Sequence, residues 1–104
     1  MTDFIISGNE LVIKTDLTSP MDVQFDIACR KLLDAEGEEI VIDLVAVKRI
    51  ISQYLGGIAL VAAEAKKSGR RLKIRAAAGH VAEVFQTVGF DRLMEIEVVD
   101  PGSG

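Results

Sequence analysis

The sequence contains a single cysteine, Cys29, and no long apolar run. One cysteine cannot form an internal disulfide, and a free thiol fits a reducing compartment. No apolar run approaches the roughly 20 residues that a membrane-spanning helix requires. The N-terminus carries Asp3 where a signal peptide would carry basic residues. We therefore expect a cytoplasmic protein without direct membrane insertion.

Patterns typical of catalysis or metal binding are absent apart from isolated residues. His80 is the single histidine, and it has no partner at metal-ligand spacing. Cys29 falls on the apolar stripe of a predicted helix, where a free cysteine acts as a small core residue. The pair Gly56 and Gly57 lacks the strand–loop–helix context of phosphate-binding glycine motifs. We predict no catalytic residue, no metal site and no cofactor, and hence a protein that is not an enzyme.

The charge pattern argues against a nucleic-acid partner. The chain has 16 acidic and 12 basic residues, a net charge of -4. Its densest basic run lies between residues 66 and 75, spread over a predicted helix end and a strand, which is typical of a solvated face. Because phosphate binding needs a concentrated positive surface, we expect no nucleic acid among the partners.

The length of 104 residues matches one domain over residues 1–104, with residues 100–104 as a disordered tail. The predicted order is β-β-α-β-α-β-α-β, with strands at residues 3–6, 11–14, 39–44, 72–76 and 96–99. Alternating strands and helices predict an α/β sandwich, a mixed and mainly parallel sheet with helices packed against it. Residues 39–44 are nearly all apolar, which predicts a central strand covered on both faces.

The second predicted helix, residues 53–67 with Ser52 as its cap, has an unusual exposed side. Five apolar residues should face the sheet: Leu55, Ile58, Ala59, Ala62 and Ala63. A solvated helix would normally be charged on the opposite side, but the charge comes only at Glu64. Before it this side carries Gln53, Gly57 and Leu60, with Tyr54 and Val61 on the flank. We interpret these last five residues as a partner-binding surface. The alternative is that a neighbouring element buries Leu60.

Asp43 lies near the end of the predicted central strand. In open α/β sheets, binding sites collect at the carboxyl ends of strands. The alternative is structural, since an acid at this place can satisfy neighbouring backbone amides.

Four segments resemble the STAS domain of bacterial anti-sigma factor antagonists. They are V-I-D-L at residues 41–44, I-I-S-Q-Y-L-G at 50–56, the turn at 66–72 and V-F-Q-T-V-G-F-D-R-L-M-E-I at 84–96. The resemblance covers about residues 11–99 and implies a STAS-like sandwich. In typical members the domain binds an anti-sigma factor kinase, and phosphorylation at the start of the second helix releases it. A phosphate places roughly two negative charges in the docking surface.

The start of the second helix departs from the family pattern Asp-Ser-Ser/Thr-Gly-Leu. The corresponding residues are Ile51, Ser52, Gln53, Tyr54 and Leu55. The resemblance places the phosphate acceptor at Gln53, which has no hydroxyl and cannot be phosphorylated. Ser52 is the nearest substitute, but a serine that caps the helix would hold its hydroxyl against backbone amides.

The resemblance implies a protein-binding regulatory domain whose partner is an anti-sigma factor or a related kinase-like protein, with a role in signal transduction and transcription regulation. Two alternatives stay open: a soluble accessory subunit of an ABC-type lipid transporter, and a scaffold or small-ligand-binding module. We expect a monomer or a weak homodimer.

Overall fold

The computed structural model describes residues 3–20 and 23–100. Within this part of the chain there are five strands, three α-helices and one 3-10 turn (Phe90–Arg92). The strands are β1 (Phe4–Ser7), β2 (Glu10–Ile13), β3 (Glu39–Leu44), β4 (Arg71–Ala77) and β5 (Glu95–Val99). The helices are α1 (Val23–Leu33), α2 (Ser52–Lys67) and α3 (His80–Thr87). Residues 101–104, the greater part of the predicted tail, lie outside the described residues.

The strands form one sheet in the order β1-β2-β3-β4-β5. β1 and β2 pair antiparallel through a hairpin in which Ser7 lies opposite Glu10, and the turn between them contains Gly8 at φ 59, a conformation that glycine adopts without steric cost. The other neighbours pair parallel. The predicted fold class, a mixed and mainly parallel sheet with helices packed against it, is confirmed.

The two faces of the sheet differ in what covers them. On one face Ile40, Ile42 and Leu44 of β3 are fully buried and belong to the hydrophobic core that includes residues of all three helices. On the other face Val41 and Asp43 lie beside Lys73 and Arg75 of β4, and Val41 is outside that core cluster. The predicted central strand is the middle strand of the sheet, and Val41 on its second face is buried at 8% exposure, although the core cluster that the helices share lies on the first face. Long charged side chains from the neighbouring strand shield the second face with their apolar stems.

The buried side of α2 is rotated relative to the prediction. The helix buries Tyr54, Ile58, Val61, Ala62 and Ala65, whereas Ala63, predicted to face the sheet, is exposed. An aromatic ring has more apolar area to bury than an alanine methyl group. The helix therefore turns its Tyr54 side towards the core and its Ala63 side towards solvent.

The carboxyl end of α1 is held by a side chain from another part of the chain. The guanidinium of Arg70, in the loop between α2 and β4, donates hydrogen bonds to the carbonyl oxygens of Leu33 and Ala35. The last carbonyls of a helix have no partner within the helix, and a cation there also interacts favourably with the helix dipole. Arg70 thus connects the end of α1 to the start of β4.

We expect Arg70→Ala to destabilise the fold by roughly 1–3 kcal/mol, because charged hydrogen bonds to two carbonyls are lost. Urea unfolding followed by circular dichroism measures the change. Arg49→Ala, which removes an exposed guanidinium, is the matched control and should change stability by less than about 0.5 kcal/mol. Equal stability of the two variants would show that the Arg70 contacts contribute nothing.

Candidate functional site

Asp43 is engaged within the protein. Its Oδ1 atom accepts a hydrogen bond of 2.9 Å from the backbone N–H of Val45. Its Oδ2 atom lies 3.4 Å from an Nη1 donor of Arg75, and the side chain is 17% exposed. These contacts agree with the alternative that Asp43 has a structural role. The carboxylate satisfies a backbone amide at the end of β3 and pairs with a cation of the same chain, so both of its oxygens have partners without a ligand.

Asp43 belongs to a network of charged side chains on the open face of the sheet. Arg75 contacts three acids: its Nε atom lies 2.9 Å from Glu97, and its Nη1 atom lies 3.4 Å from Asp43 and 3.6 Å from Glu10. The Lys73 Nζ atom lies 2.8 Å from Glu97. The hydrogen bond to Glu97 is the largest factor that raises the pKa of both cations. The pKa of Glu97 is lowered by hydrogen bonds, first from Lys73 and then from Arg75.

The first residue of α2 is Ser52, so the prediction that Ser52 caps the helix is wrong. The cap is Ile51, at φ -95 and ψ 163, without a side-chain hydrogen bond to the free amides. The carbonyl of Ile51 accepts from the N–H groups of Tyr54 and Leu55, and its own N–H donates to the carbonyl of Leu17 at 2.9 Å. This backbone bond fixes Ile51 at the cap position. The Ser52 hydroxyl is exposed and has no hydrogen-bond partner among the described residues.

Two of the five residues predicted to bind a partner are instead part of the core. Tyr54 is 2% exposed and Val61 is 4% exposed. The Tyr54 ring packs edge-on against Phe25 with 5.0 Å between ring centroids, and its hydroxyl donates to the carbonyl of Pro20 at 3.1 Å. Tyr54 is therefore not part of an exposed surface, and Val61 reaches the surface only as a lining residue of the groove between α1 and α2. Tyr54 lies in the interface between α1 and α2. The side of α2 that the sequence analysis described as a flank of the exposed surface therefore faces the core.

The other three predicted residues lie at or near the surface. Gln53 is exposed, Gly57 is half-buried, and Leu60 is 68% exposed. The alternative that a neighbouring element buries Leu60 is therefore wrong for the described chain. Spacings of four and three residues place Gln53, Gly57 and Leu60 along one side of the helix. We call these three residues the docking line.

An apolar groove of about 230 Å³ runs between α1 and α2 beside the docking line. Its floor and walls are formed mainly by six residues, Phe25, Cys29, Leu33, Gly57, Leu60 and Val61. The position without a side chain, Gly57, contributes to the opening between the helices. At the rim Arg30 pairs with Asp26 at 3.1 Å and Lys67 pairs with Glu64 at 3.2 Å.

The contribution of α1 to this groove was missed by the sequence reasoning, which assigned the α1 stripe to the core alone. Cys29 is buried as that assignment expects, and burial, with a smaller effect of Asp26, raises the pKa of the thiol to about 12. The thiol is therefore protonated at neutral pH and contributes an apolar surface. No signal in the sequence marks this role, because the half-burial of Leu33 beside the groove is seen only in the structure.

Neither a metal centre nor a membrane span is found in the described residues. No group of three or more His, Cys, Asp or Glu side chains within residues 3–20 and 23–100 is placed to hold a metal ion. No helix in the same part of the chain is long and apolar enough to cross a membrane. His80 is exposed at the start of α3 and lines a shallow cleft with Lys48.

Comparison with known proteins gives one family and one fold. The family model described as "Mlab, STAS domain" matches residues 5–97. Among solved structures, the chain is similar to a crystal structure from Thermotoga maritima of a protein described as a candidate anti-sigma factor antagonist. That similarity has a TM-score of 0.73 at 18% identity and covers 96% of this chain and 87% of the other. At this identity the likeness shows the fold alone. No curated protein matches the chain.

The lowered pKa of Glu97 makes part of the stability dependent on pH. A carboxylate with a lowered pKa in the folded state stabilises above its unfolded pKa of about 4.3, and the contribution is lost as the pH falls through the folded value. We expect Glu97→Gln to lower stability at neutral pH and to reduce its fall in the acid range. Thermal melts between about pH 3 and pH 7 measure both effects. Glu83→Gln, an exposed acid on α3, is the control, and identical pH profiles for the two variants would contradict the role of the network.

Proposed function

The chain belongs to the STAS domain family, and we propose that its single domain is a non-enzymatic, protein-binding regulatory module that docks an anti-sigma factor or a related kinase-like protein on α2. One observation carries this proposal. Leu60, 68% exposed, stands beside the apolar groove between α1 and α2. A partner that inserts an apolar side chain into the groove would cover Leu60 as well.

The docking line is long enough for a partner to contact α2 over up to about two helical turns, and not at one residue alone. From Gln53 to Leu60 the helix rises by about 10 Å. Complete burial of one leucine side chain stabilises a complex by about 1.5–3 kcal/mol, and the apolar lining of the groove adds area of the same kind. The charge pairs at the groove rim, Asp26 with Arg30 and Glu64 with Lys67, are internally compensated. We therefore propose apolar burial as the main source of affinity at this surface.

We further propose that this docking is not released by phosphorylation at the family position. Gln53 has no hydroxyl to accept a phosphate. Ser52 has an exposed hydroxyl, so the capping argument against its modification no longer holds. However, consecutive helical residues are about 100° apart around the axis. A phosphate on Ser52 would therefore lie beside the docking line and not within it.

A second candidate function is that of an accessory subunit of an ABC-type lipid transporter, bound to its ATPase subunit. The observation that favours it is again Gln53, because a permanent subunit needs no phosphate-dependent release. Capture of the native partner, identified by mass spectrometry, separates the two. A kinase-like anti-sigma factor supports the first function, and a transport ATPase supports the second.

A charge placed in the docking surface should abolish binding of the captured partner. We expect Leu60→Glu and Gly57→Asp each to lower affinity by about a hundredfold or more, because an unpaired charge would be desolvated in the interface. The control is Ala63→Glu, which adds the same charge at an exposed α2 residue outside the groove. Calorimetric titration with parallel thermal melts is the measurement. Unchanged affinity in both docking variants would remove this surface from the proposal.

Phosphorylation is tested by incubation with the kinase-like partner and ATP, followed by intact-mass and fragment-mass measurement. We expect the wild-type chain to stay unmodified and Gln53→Ser to gain one phosphate. Restoring the whole family pattern is not usable, because Tyr54→Gly would remove a buried ring at a cost of about 3–5 kcal/mol. A stoichiometric phosphate on Ser52 of the wild-type chain would overturn the proposed loss of control.

A further inference from the structure

A second surface, at the other end of α2, carries three cations that form no ion pair within the described chain. Lys66, Arg71 and Arg92 line a cleft of about 290 Å³ and are exposed. None of the three has an ion-pair partner within 4.0 Å among the described residues. The acids that share this cleft are Glu95, which is paired with Lys73 at 3.4 Å, and Asp91. We call Lys66, Arg71 and Arg92 the basic cleft.

An opposite set of charges lies directly beside the basic cleft. The loop between α1 and β3 carries Asp34, Glu36 and Glu38, all exposed and likewise without an ion-pair partner in the described chain. We call these three residues the acidic loop. The backbone N–H of Arg71 donates to the carbonyl of Glu38 at 2.8 Å. The basic cleft and the acidic loop therefore adjoin at Arg71 and Glu38, where β3 and β4 begin.

The arrangement is self-complementary. Although the two surfaces adjoin through the backbone, their side chains do not pair with each other within one molecule. In a two-fold dimer, each residue set of one copy contacts the other set of its partner, and the contact occurs twice. We propose that two copies of this chain associate across this end of the sheet, with the acidic loop of each copy on the basic cleft of the other.

The acidic loop also argues against other occupants of the cleft. A membrane surface or a nucleic acid presents many phosphates over a wide area, and the phosphates next to the cleft would meet Asp34, Glu36 and Glu38. Repulsion of like charges would oppose such binding. The whole chain is acidic, with a net charge of -4, so copies repel each other except where the basic cleft is presented.

The dimer leaves the docking line free. Leu60, the nearest residue of the docking line, lies about 9 Å along α2 from Lys66 and about 120° around the helix axis from it. A two-fold dimer would present two docking surfaces, and this inference does not depend on the identity of the partner proposed above. Linked docking surfaces raise the affinity for a partner that is itself dimeric without a new contact.

Sedimentation equilibrium of the full chain tests the association. We expect a concentration-dependent dimer in about 0.1 M NaCl whose association constant falls at least about tenfold in about 1 M NaCl, where the Debye length shortens from about 10 Å to about 3 Å. The cleft variant, Arg71→Glu with Arg92→Glu, and the loop variant, Glu36→Lys with Glu38→Lys, should each be monomeric. An equimolar mixture of the two should form a dimer, because the reversed charges are complementary again.

The control is Lys14→Glu with Arg49→Glu, which changes the net charge as the cleft variant does but at exposed residues outside both surfaces. This control should dimerise as the wild type does, and circular dichroism should show all variants folded. A wild-type chain that is monomeric at every concentration in low salt would overturn the proposal. So would dimers of either reversal variant alone, or a mixture of the two that stays monomeric.

Discussion

The edge-on packing of Tyr54 against Phe25 sets the rotation of α2, and the surface of the protein follows from it. With 5.0 Å between ring centroids and the phenol hydroxyl bonded to the carbonyl of Pro20, the ring is fixed to α1 and to the segment that precedes it. A helix fixed at one residue has its other side chains placed by the 100° step. Leu60 is thereby directed to solvent, Val61 to the core, and Gly57 to the border between them.

The same packing makes Tyr54, at the start of α2, part of the core. Where the family pattern has an acid, a hydroxyl and a glycine, this chain has Ile51, Gln53 and Tyr54. Ile51 is held by a backbone hydrogen bond to Leu17, and Tyr54 fills the space between two helices. Tyr54 thus contributes to the core, whereas Ser52 and Gln53 beside it are exposed. A docking surface whose position Tyr54 fixes would suit the proposed binding without release by a modification.

The fold could be predicted from the sequence because its strongest signals are local. The strand at Glu39–Leu44 has the predicted bounds, since Gly37 precedes a run of β-branched and apolar residues. The rotation of α2 could not be predicted, because small apolar residues lie on several sides of this helix and periodicity alone does not rank alanine against tyrosine. What covers the second sheet face could not be predicted either, because the apolar stems of long charged side chains can bury a valine as well as a helix can. Val41, buried at 8% exposure, lies opposite Lys73. The error at Ser52 has a related cause, since the cap position depends on the backbone of Ile51, which tertiary contacts fix.

The two exposed surfaces proposed here differ in physical kind, and α2 separates them. The docking line, with its apolar groove, would bind by burial of area, which salt screens little. The basic cleft and the acidic loop would associate by charge, which salt screens strongly. The sequence pattern between residues 66 and 75 is typical of one solvated basic face. In the structure these basic residues divide into two groups. Lys73 and Arg75 are paired on the sheet face, whereas Lys66 and Arg71 remain exposed at the cleft. Position along the chain produces this division: Lys73 and Arg75 lie within β4 beside Glu97 of β5 and pair with it, whereas Arg71 is the first residue of β4 and Lys66 lies near the end of α2, where no acid of the described chain pairs with them.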